Sequence, residues 1–395
     1  MRCPEGSREG ESRERRRPSV FLSAGEASGD WAGALLAQAL RQRRSDLALR
    51  GIGGRRMAAA GVELVADSSD WGAIGVFEAA QKAPRVWRAL RAARSFLARE
   101  RPSGLVLIDC GAFNIPLARW ARRLELRTLY YLPPGSWSRR LRSAELRELV
   151  DVIATPFQWS RDLLAGGRAR VECVGHPALE AARPELPAET AWARYGLKQE
   201  HKVVALAPGS REQEIRYVLP VLAPTAAALA KAWEGTQFLV PVAGTVDADC
   251  VRQAFERVGV KARMLEGMEY DALQLAGAAA VCSGTATLEF ACLGVPMVVV
   301  YRASRATTLQ YRLVRGLIGG QRWAAMPNII SGREVVRELL GSAAKPEALA
   351  KELTELLADE ARRERMRADL KEVVAALGQP GASERTAELV LEMIR

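Results

Sequence analysis

The sequence predicts an α/β fold: two doubly wound halves, each a parallel sheet covered on both faces, with a cleft between them and a helical C-terminus. Three observations carry the prediction. The chain has 395 residues, the length of two domains at about 100–200 residues each. Short continuous apolar runs alternate with longer amphipathic stretches, which is how buried parallel strands joined by crossover helices read. The alternation breaks over residues 180–200, where Pro184 and Pro187 fall in a stretch without a strand run, and then restarts.

In the first half the predicted strands are 19–24, 104–108, 127–132 and 151–154, separated by helices at 31–43, 84–100, 114–124, 137–149 and 157–165. In the second half they are 203–207, 237–242, 262–265, 278–282 and 296–300, with helices between them and helix-rich sequence from about 333. The expected domains are 18–182 and 201–360, joined by a linker at 183–200 that carries a short helix and followed by C-terminal helices at 361–395. Residues 1–17 are polar, charged and aperiodic, and are expected to be a disordered extension.

Composition narrows the function classes. With 49% hydrophobic and 26% charged residues, the chain is neither disordered nor fibrous. The balance of 57 Lys+Arg against 46 Asp+Glu favours an anionic partner without selecting among phosphate, lipid and nucleic acid. No nucleic-acid motif accompanies the charge, so a nucleic-acid role is discounted. Two histidines exclude a His-rich metal site, and six cysteines without a C-x-x-C pair argue against zinc or a redox dithiol. Neither metal nor cofactor is expected, and the cysteines read as buried free thiols of a reducing compartment. No apolar run reaches the ~18 residues of a transmembrane helix, and no apolar h-region precedes Pro18. The expected compartment is the cytoplasm.

Four strand-to-helix loops carry candidate chemistry. Gly25-Glu26-Ala27-Ser28-Gly29-Asp30 follows the first strand. Its glycines allow close backbone approach to a ligand, or it is only a tight turn with Ser28 or Asp30 as helix cap. It lacks the third glycine of a dinucleotide fingerprint and the lysine of a P-loop. Asp109 ends the central strand in Ile108-Asp109-Cys110-Gly111-Ala112-Phe113-Asn114. It is placed to act as a general base toward a sugar hydroxyl or to cap the next helix. In Gly209-Ser210-Arg211, backbone and hydroxyl donors stand at a helix start beside a guanidinium able to fork onto phosphate. Glu214 fits a capping-box acid there without competing with that role. In Ser283-Gly284-Thr285-Ala286-Thr287-Leu288-Glu289 the small hydroxyl residues suit phosphate oxygens, and Glu289 suits ribose hydroxyls.

Two further features have plainer readings. Asp247 and Asp249 form a D-x-D pair without a third ligand nearby and read as capping residues. The stretch from Pro84 to Arg101 carries six arginines around a stripe of Val86, Trp87, Leu90, Ala93 and Leu97. Such a helix is a solvated face, or it rests on anionic lipid. Ile74, Val76 and Phe77, in a Gly-rich loop just upstream, add an apolar patch.

Taken in order, FLSAGEASGD (21–30), GIGGRRMAAAG (51–61), IDCGAFN (108–114), VGHP (174–177), APGSREQEI (207–215), SGTATLE (283–289), GVPMVVVYR (294–302) and MPNIISGREVVRELL (326–340) resemble the lipid-A-disaccharide synthase family. The resemblance runs from about Val20 to the C-terminus. It implies a fold of the GT-B type, two Rossmann-like domains, with UDP held by the second and the lipid acceptor by the first. The implied reaction is metal-independent and inverting. It joins UDP-2,3-diacylglucosamine to 2,3-diacylglucosamine 1-phosphate, giving a β-1,6 disaccharide phosphate and UDP.

By the same resemblance Asp109 is the base, and Glu26 and Ser28 are polar groups near the reacting sugar. Gly209, Ser210, Arg211, Ser283, Gly284, Thr285, Glu289 and Asn328 bind the donor. Ile74, Val76, Phe77 and Trp87 face acyl chains and the anionic inner-membrane surface, and a homodimer is a further expected assembly. The chain departs from the family twice. The family's I-D-x-P-D-F-N is I-D-C-G-A-F-N here, with Ala112 in place of a carboxylate. Its Tyr-Val/Ile-Ser-Pro stretch ending in Trp-Ala-Trp becomes Tyr131-Leu-Pro-Pro-Gly-Ser-Trp137-Ser-Arg-Arg140. Both changes lie on the acceptor side. A UDP-sugar transferase with another glycolipid acceptor, and a non-catalytic nucleotide- or lipid-binding relative, are the competing expectations.

Overall fold

The computed structural model describes residues 17–69, 71, 76–137, 145–304 and 322–395, without the side chains of 76–81. The first half is a seven-stranded sheet of β1 (Ser19–Ala24), β2 (Ala48–Gly53), β3 (Glu63–Asp67), β4 (Gly104–Ile108), β5 (Thr128–Tyr131), β6 (Val152–Thr155) and β7 (Arg170–Cys173), ordered β3-β2-β1-β4-β5-β6-β7. The second is a six-stranded sheet of β8 (Val203–Ala207), β9 (Gln237–Val242), β10 (Ala262–Glu266), β11 (Ala278–Cys282), β12 (Met297–Tyr301) and β13 (Arg337–Leu340), ordered β10-β9-β8-β11-β12-β13. Every neighbouring pair runs parallel. Strand order therefore reverses beside β1/β4 in one sheet and beside β8/β11 in the other. Those two switch points are where a doubly wound sheet opens a crevice.

Alternation of side chains explains the continuous apolar strands. Val20, Leu22 and Ala24 of β1 enter one core cluster with Val106 and Ile108 of β4. Phe21 enters the cluster on the opposite face with Leu105 and Leu107. A strand buried on both faces has no solvent side on which to place polar residues.

Four strands escaped the sequence reading. β3, β7 and β13 lie at sheet edges, are only partly buried, and so carry charged residues. β13 also corrects the helical expectation from about 333. β2 is interior, but Gly51 and Gly53 disguise it: a Cβ on Gly51 would collide with the Leu22 carbonyl, so the close strand approach demands glycine.

The helices that position the site are α1 (Ala27–Arg43), the short α2 (Arg55–Ala59), α3 (Val76–Glu100) and α4 (Gly111–Arg123). One turn, α5 (Leu146–Leu149), remains of the helix expected at 137–149, whose 138–144 lie outside the described residues. Then come α6 (Gln158–Leu164), α7 (Ala178–Ala181), α8 (Ala188–Arg194), α9 (Glu212–Ala232), α10 (Ala248–Glu256), α11 (Tyr270–Leu273), α12 (Ala286–Cys292), α13 (Met326–Ser331), α14 (Pro346–Ala358), α15 (Glu360–Ala375) and α16 (Ala382–Met393). Val76 and Phe77 begin α3 rather than sitting in a loop. The helix continues through Pro84 instead of starting there.

The chain crosses between halves twice, and the crossings are tied together. His176 N–H donates to Leu377 O at 3.0 Å, and Arg385 Nη2 donates to Val174 O at 2.6 Å. α16 then returns to the first half, where Ala387, Leu389, Val390 and Met393 complete its core. Among the described cysteines only Cys282 is buried, Cys250 is exposed and the others are half-buried, which corrects the burial expected of most of them. Asp247 accepts from Asp249 N–H at 2.9 Å as the cap of α10, and Asp249 pairs with Arg252. The 1–17 extension falls outside the described residues except for Arg17.

Candidate active site

The carboxyl ends of the two switch-point strand pairs face one cleft. Glu26 and Ser28 line its first wall after β1. Gly209, Ser210 and Arg211, after β8, line the second, with Ser283, Gly284, Thr285 and Glu289 after β11. Among the described residues Trp31 packs against the cores of both halves, and two polar side-chain contacts also span the gap. Arg211 Nη2 lies 2.5 Å from Glu26 Oε2, and Arg55 Nη1 donates to Gly244 O at 3.1 Å.

Asp109 sits behind Ser28, half-buried at the end of β4, and its Oδ2 accepts from Ser28 Oγ at 2.9 Å. It does not cap α4, whose N-cap is Cys110 without any side-chain cap. Burial raises the Asp109 carboxyl above its ordinary value; the Ser28 hydrogen bond opposes this, and the negative charge of Glu26 adds to it. A carboxylate held high in this way accepts a proton more readily near neutral pH than an exposed one.

Asp30 settles the question of capping in the first loop. Its carboxylate accepts from Gly54 N–H at 2.6 Å, Met57 N–H at 3.0 Å and Arg56 N–H at 3.1 Å, so it caps α2 and not its own helix. Ser28 remains aimed at Asp109. Gly25 is required because a Cβ there would strike the Cys110 side chain.

On the second wall Arg211 forks between Glu26 and Glu214, the latter at 2.8 Å. Burial would lower its pKa, but the two carboxylates more than reverse this and fix the positive charge. Glu214 also accepts from the N–H groups of Ser210 and Arg211, at 2.8 and 3.2 Å. Its capping role therefore does compete with anion binding by those N–H groups. The loop's remaining donors toward the cleft are the Ser210 hydroxyl and the Arg211 guanidinium.

Gly209 has φ +109°, and a Cβ there would collide with the Glu214 carboxylate. Gly209→Ala should cost about 1–3 kcal/mol of stability. Thermal unfolding measures it; an unchanged midpoint would contradict this reading of the loop.

Glu289 is buried at the start of α12 and accepts from Tyr270 Oη at 2.5 Å. Burial raises its carboxyl, while Tyr270 and the nearby Arg56 oppose the rise. Ser283 donates to Ala324 O at 2.8 Å. Asn328 does not line the cleft. It is fully buried, with Oδ1 accepting from Val335 and Val336 N–H, and Nδ2 donating to Val336 O and Glu338. Glu338 in turn accepts from Ala324 and Ala325 N–H. Asn328 thus supports, at one remove, the segment that holds Ser283, which corrects its placement as a donor contact.

Arg55, Arg56 and Tyr270 were not singled out from the sequence. The arginines do fall within the GIGGRRMAAAG block, whose glycine pair brings the α2 turn to the cleft. Of the patch expected to face acyl chains, Ile74 and the side chains of Val76 and Phe77 lie outside the described residues. Trp87 stands clear of the buried α3 stripe at 56% exposure, with Arg91 Cζ 4.6 Å from its ring centroid. The two departures from the family pattern adjoin: a Cβ on Gly111 would come within 2.8 Å of Pro134 Cγ.

Among solved structures the chain is similar to a UDP-N-acetylglucosamine 2-epimerase from Neisseria meningitidis bound to UDP-GlcNAc, with TM-score 0.62, 12% identity, and coverage of 95% of this chain and 100% of that one. It is also similar to MurG of Acinetobacter baumannii, with TM-score 0.56, 14% identity, and coverage of 95% and 99%. These likenesses establish the GT-B type of fold. In sequence it is 35% identical over 380 residues to the lipid-A-disaccharide synthase of Syntrophus aciditrophicus, covering 95% of this chain and 98% of the relative. It is 36% identical over 376 residues to that of Geobacter sulfurreducens, covering 95% and 97%. The family model described as lipid-A-disaccharide synthetase matches residues 20–393, nearly all of the folded sequence, and the chain belongs to that family.

Proposed function

We propose that the chain transfers 2,3-diacylglucosamine from UDP to 2,3-diacylglucosamine 1-phosphate with inversion, and that Asp109 is the base. The observation that carries this reading is the Glu26–Arg211 contact at 2.5 Å. It brings an acid-bearing wall and a cationic loop within one side-chain pair of each other, as proton removal at one end of a displacement and charge stabilisation at the other require.

The acceptor hydroxyl gives its proton to the Asp109 carboxylate as its oxygen bonds to the donor's anomeric carbon. The bond from that carbon to the diphosphate breaks on the opposite face, and UDP leaves with the electron pair. Ser28 orients Asp109 through its hydrogen bond. Arg211 and the Ser210 hydroxyl meet the charge on the departing diphosphate. Ser283, Gly284, Thr285 and Glu289 hold the nucleotide, with Glu289 accepting from ribose. The product identifies the reaction: mass spectrometry should find a phosphorylated disaccharide plus UDP. A product built on another glycolipid, or none, would sink the acceptor assignment.

We further propose peripheral attachment to the anionic face of the inner membrane through α3, where Trp87 and Arg91 stack in the open. No helix among the described residues is long and apolar enough to cross a membrane. At about 1 kcal/mol per arginine near an anionic surface, removing Arg88 and Arg91 together should weaken binding to anionic vesicles roughly thirtyfold. Trp87→Ala should weaken it further. Flotation with anionic and zwitterionic vesicles at two salt concentrations is the measurement, and equal binding to both lipids would contradict the assignment.

A further inference from the structure

Asp109 and Cys110 occupy the left-handed region in succession, at φ +50° and +40°. That region is unfavourable for an L-residue, so the turn persists only because its surroundings hold it. Backbone bonds hold part of it, Asp109 N–H donating to Tyr131 O at 3.1 Å and Asn114 N–H to Cys110 O at 2.9 Å, and two buried side chains hold the rest. The Asp109 carbonyl oxygen accepts from Tyr130 Oη at 2.7 Å and from Asn114 Nδ2 at 3.0 Å. Asn114 Nδ2 also lies 3.0 Å from Ile108 O and 3.2 Å from Ser23 O, while its Oδ1 accepts from Ser23 Oγ at 2.7 Å. One side amide therefore ties the ends of β1 and β4 to the first turn of α4. Tyr130 and Asn114 are both fully buried, and neither lines the cleft.

We propose that Asn114 and Tyr130 are positioning residues for Asp109: by pinning its carbonyl they hold the left-handed turn that aims its carboxylate at Ser28, which lines the cleft. The inference rests on Asp109 being the base. Without the clamp, the backbone relaxes toward ordinary φ and the carboxylate swings toward water.

Tyr130→Phe removes one of the two hydrogen bonds while keeping the ring that fills the core. Its kcat should fall about tenfold to a hundredfold, the scale of a small misplacement of a catalytic group. UDP affinity, donor KM and thermal midpoint should stay near wild type. The acid limb of kcat/KM should move to lower pH, because a rehydrated carboxylate loses the upward push of burial. Asn114→Ala should act in the same direction, and the double variant should fall short of the product of the single effects. Wild-type kcat and pH profile in Tyr130→Phe would overturn the proposal, as would loss of activity in parallel with UDP binding and thermal midpoint. Asp109→Asn in the same assay keeps the two claims apart: an active Asp109→Asn defeats the base assignment, whereas an inactive one beside wild-type-like Tyr130→Phe defeats the positioning role alone.

Discussion

Replacing Asp109 with Asn should lower kcat for sugar transfer by about a hundredfold to ten-thousandfold, the usual contribution of a positioned base, and leave UDP affinity within about twofold. Asn keeps the size of the side chain and can still bond to Ser28, so the loss isolates proton acceptance from geometry. In the wild type the same group sets the acid limb of the pH profile. Transfer needs the carboxylate, and burial holds the Asp109 carboxyl above the ordinary aspartate range. Activity should therefore rise with pH through a midpoint above that range and be lost as pH falls below it. UDP binding, which engages the other wall, should not follow that limb. A midpoint at or below the ordinary aspartate value, or an active Asp109→Asn, would remove Asp109 from the chemistry.

Arg211→Ala should lower kcat by roughly a hundredfold to a thousandfold, the loss seen when a preorganised donor to developing negative charge is removed. The guanidinium spans Glu26 on one wall and Glu214 on the other. Its removal leaves the diphosphate facing two carboxylates with their cation gone. Arg211→Lys should recover only part of the loss, because a point charge on a flexible stem cannot fork between both acids and a phosphate. Single-turnover rates with saturating donor check this. A kcat within a few fold of wild type would show that the departing diphosphate is stabilised elsewhere in the cleft.

The segments that are legible in the sequence share one physical property. Strands such as Val203–Ala207 and Gly104–Ile108 are apolar throughout because both faces are buried. The loops after β1, β4, β8 and β11 were legible because each ends such a strand, and the sheet order then carries all four to the two switch points. The edge strand Arg337–Leu340 reads as helix because its solvent-exposed side breaks the apolar run.

Within the site, an acid after a strand suggests a base, but nothing local distinguishes Asn328 from a ligand contact. Its four hydrogen bonds are made to residues seven to ten positions on, and only the folded turn reveals that its polar capacity is spent. The same holds for Glu214, whose hold on Ser210 and Arg211 removes two N–H groups that the loop pattern offered to phosphate. Asp30 differs again: it is a cap, as its residue type allows, but for a helix 24 residues away. Tyr130 escaped notice because a tyrosine inside a strand reads as core, and its ring is core; only its hydroxyl serves the site.

The fold is shared with UDP-N-acetylglucosamine 2-epimerases as well as with glycosyltransferases, and what separates the two is whether the cleft passes its sugar to a second sugar. The most direct test is the rate of UDP release from UDP-2,3-diacylglucosamine with and without 2,3-diacylglucosamine 1-phosphate. Release should depend on the acceptor and be matched mole for mole by disaccharide 1-phosphate. UDP released at the same rate without acceptor, or with no disaccharide formed, would rule out transfer to that sugar.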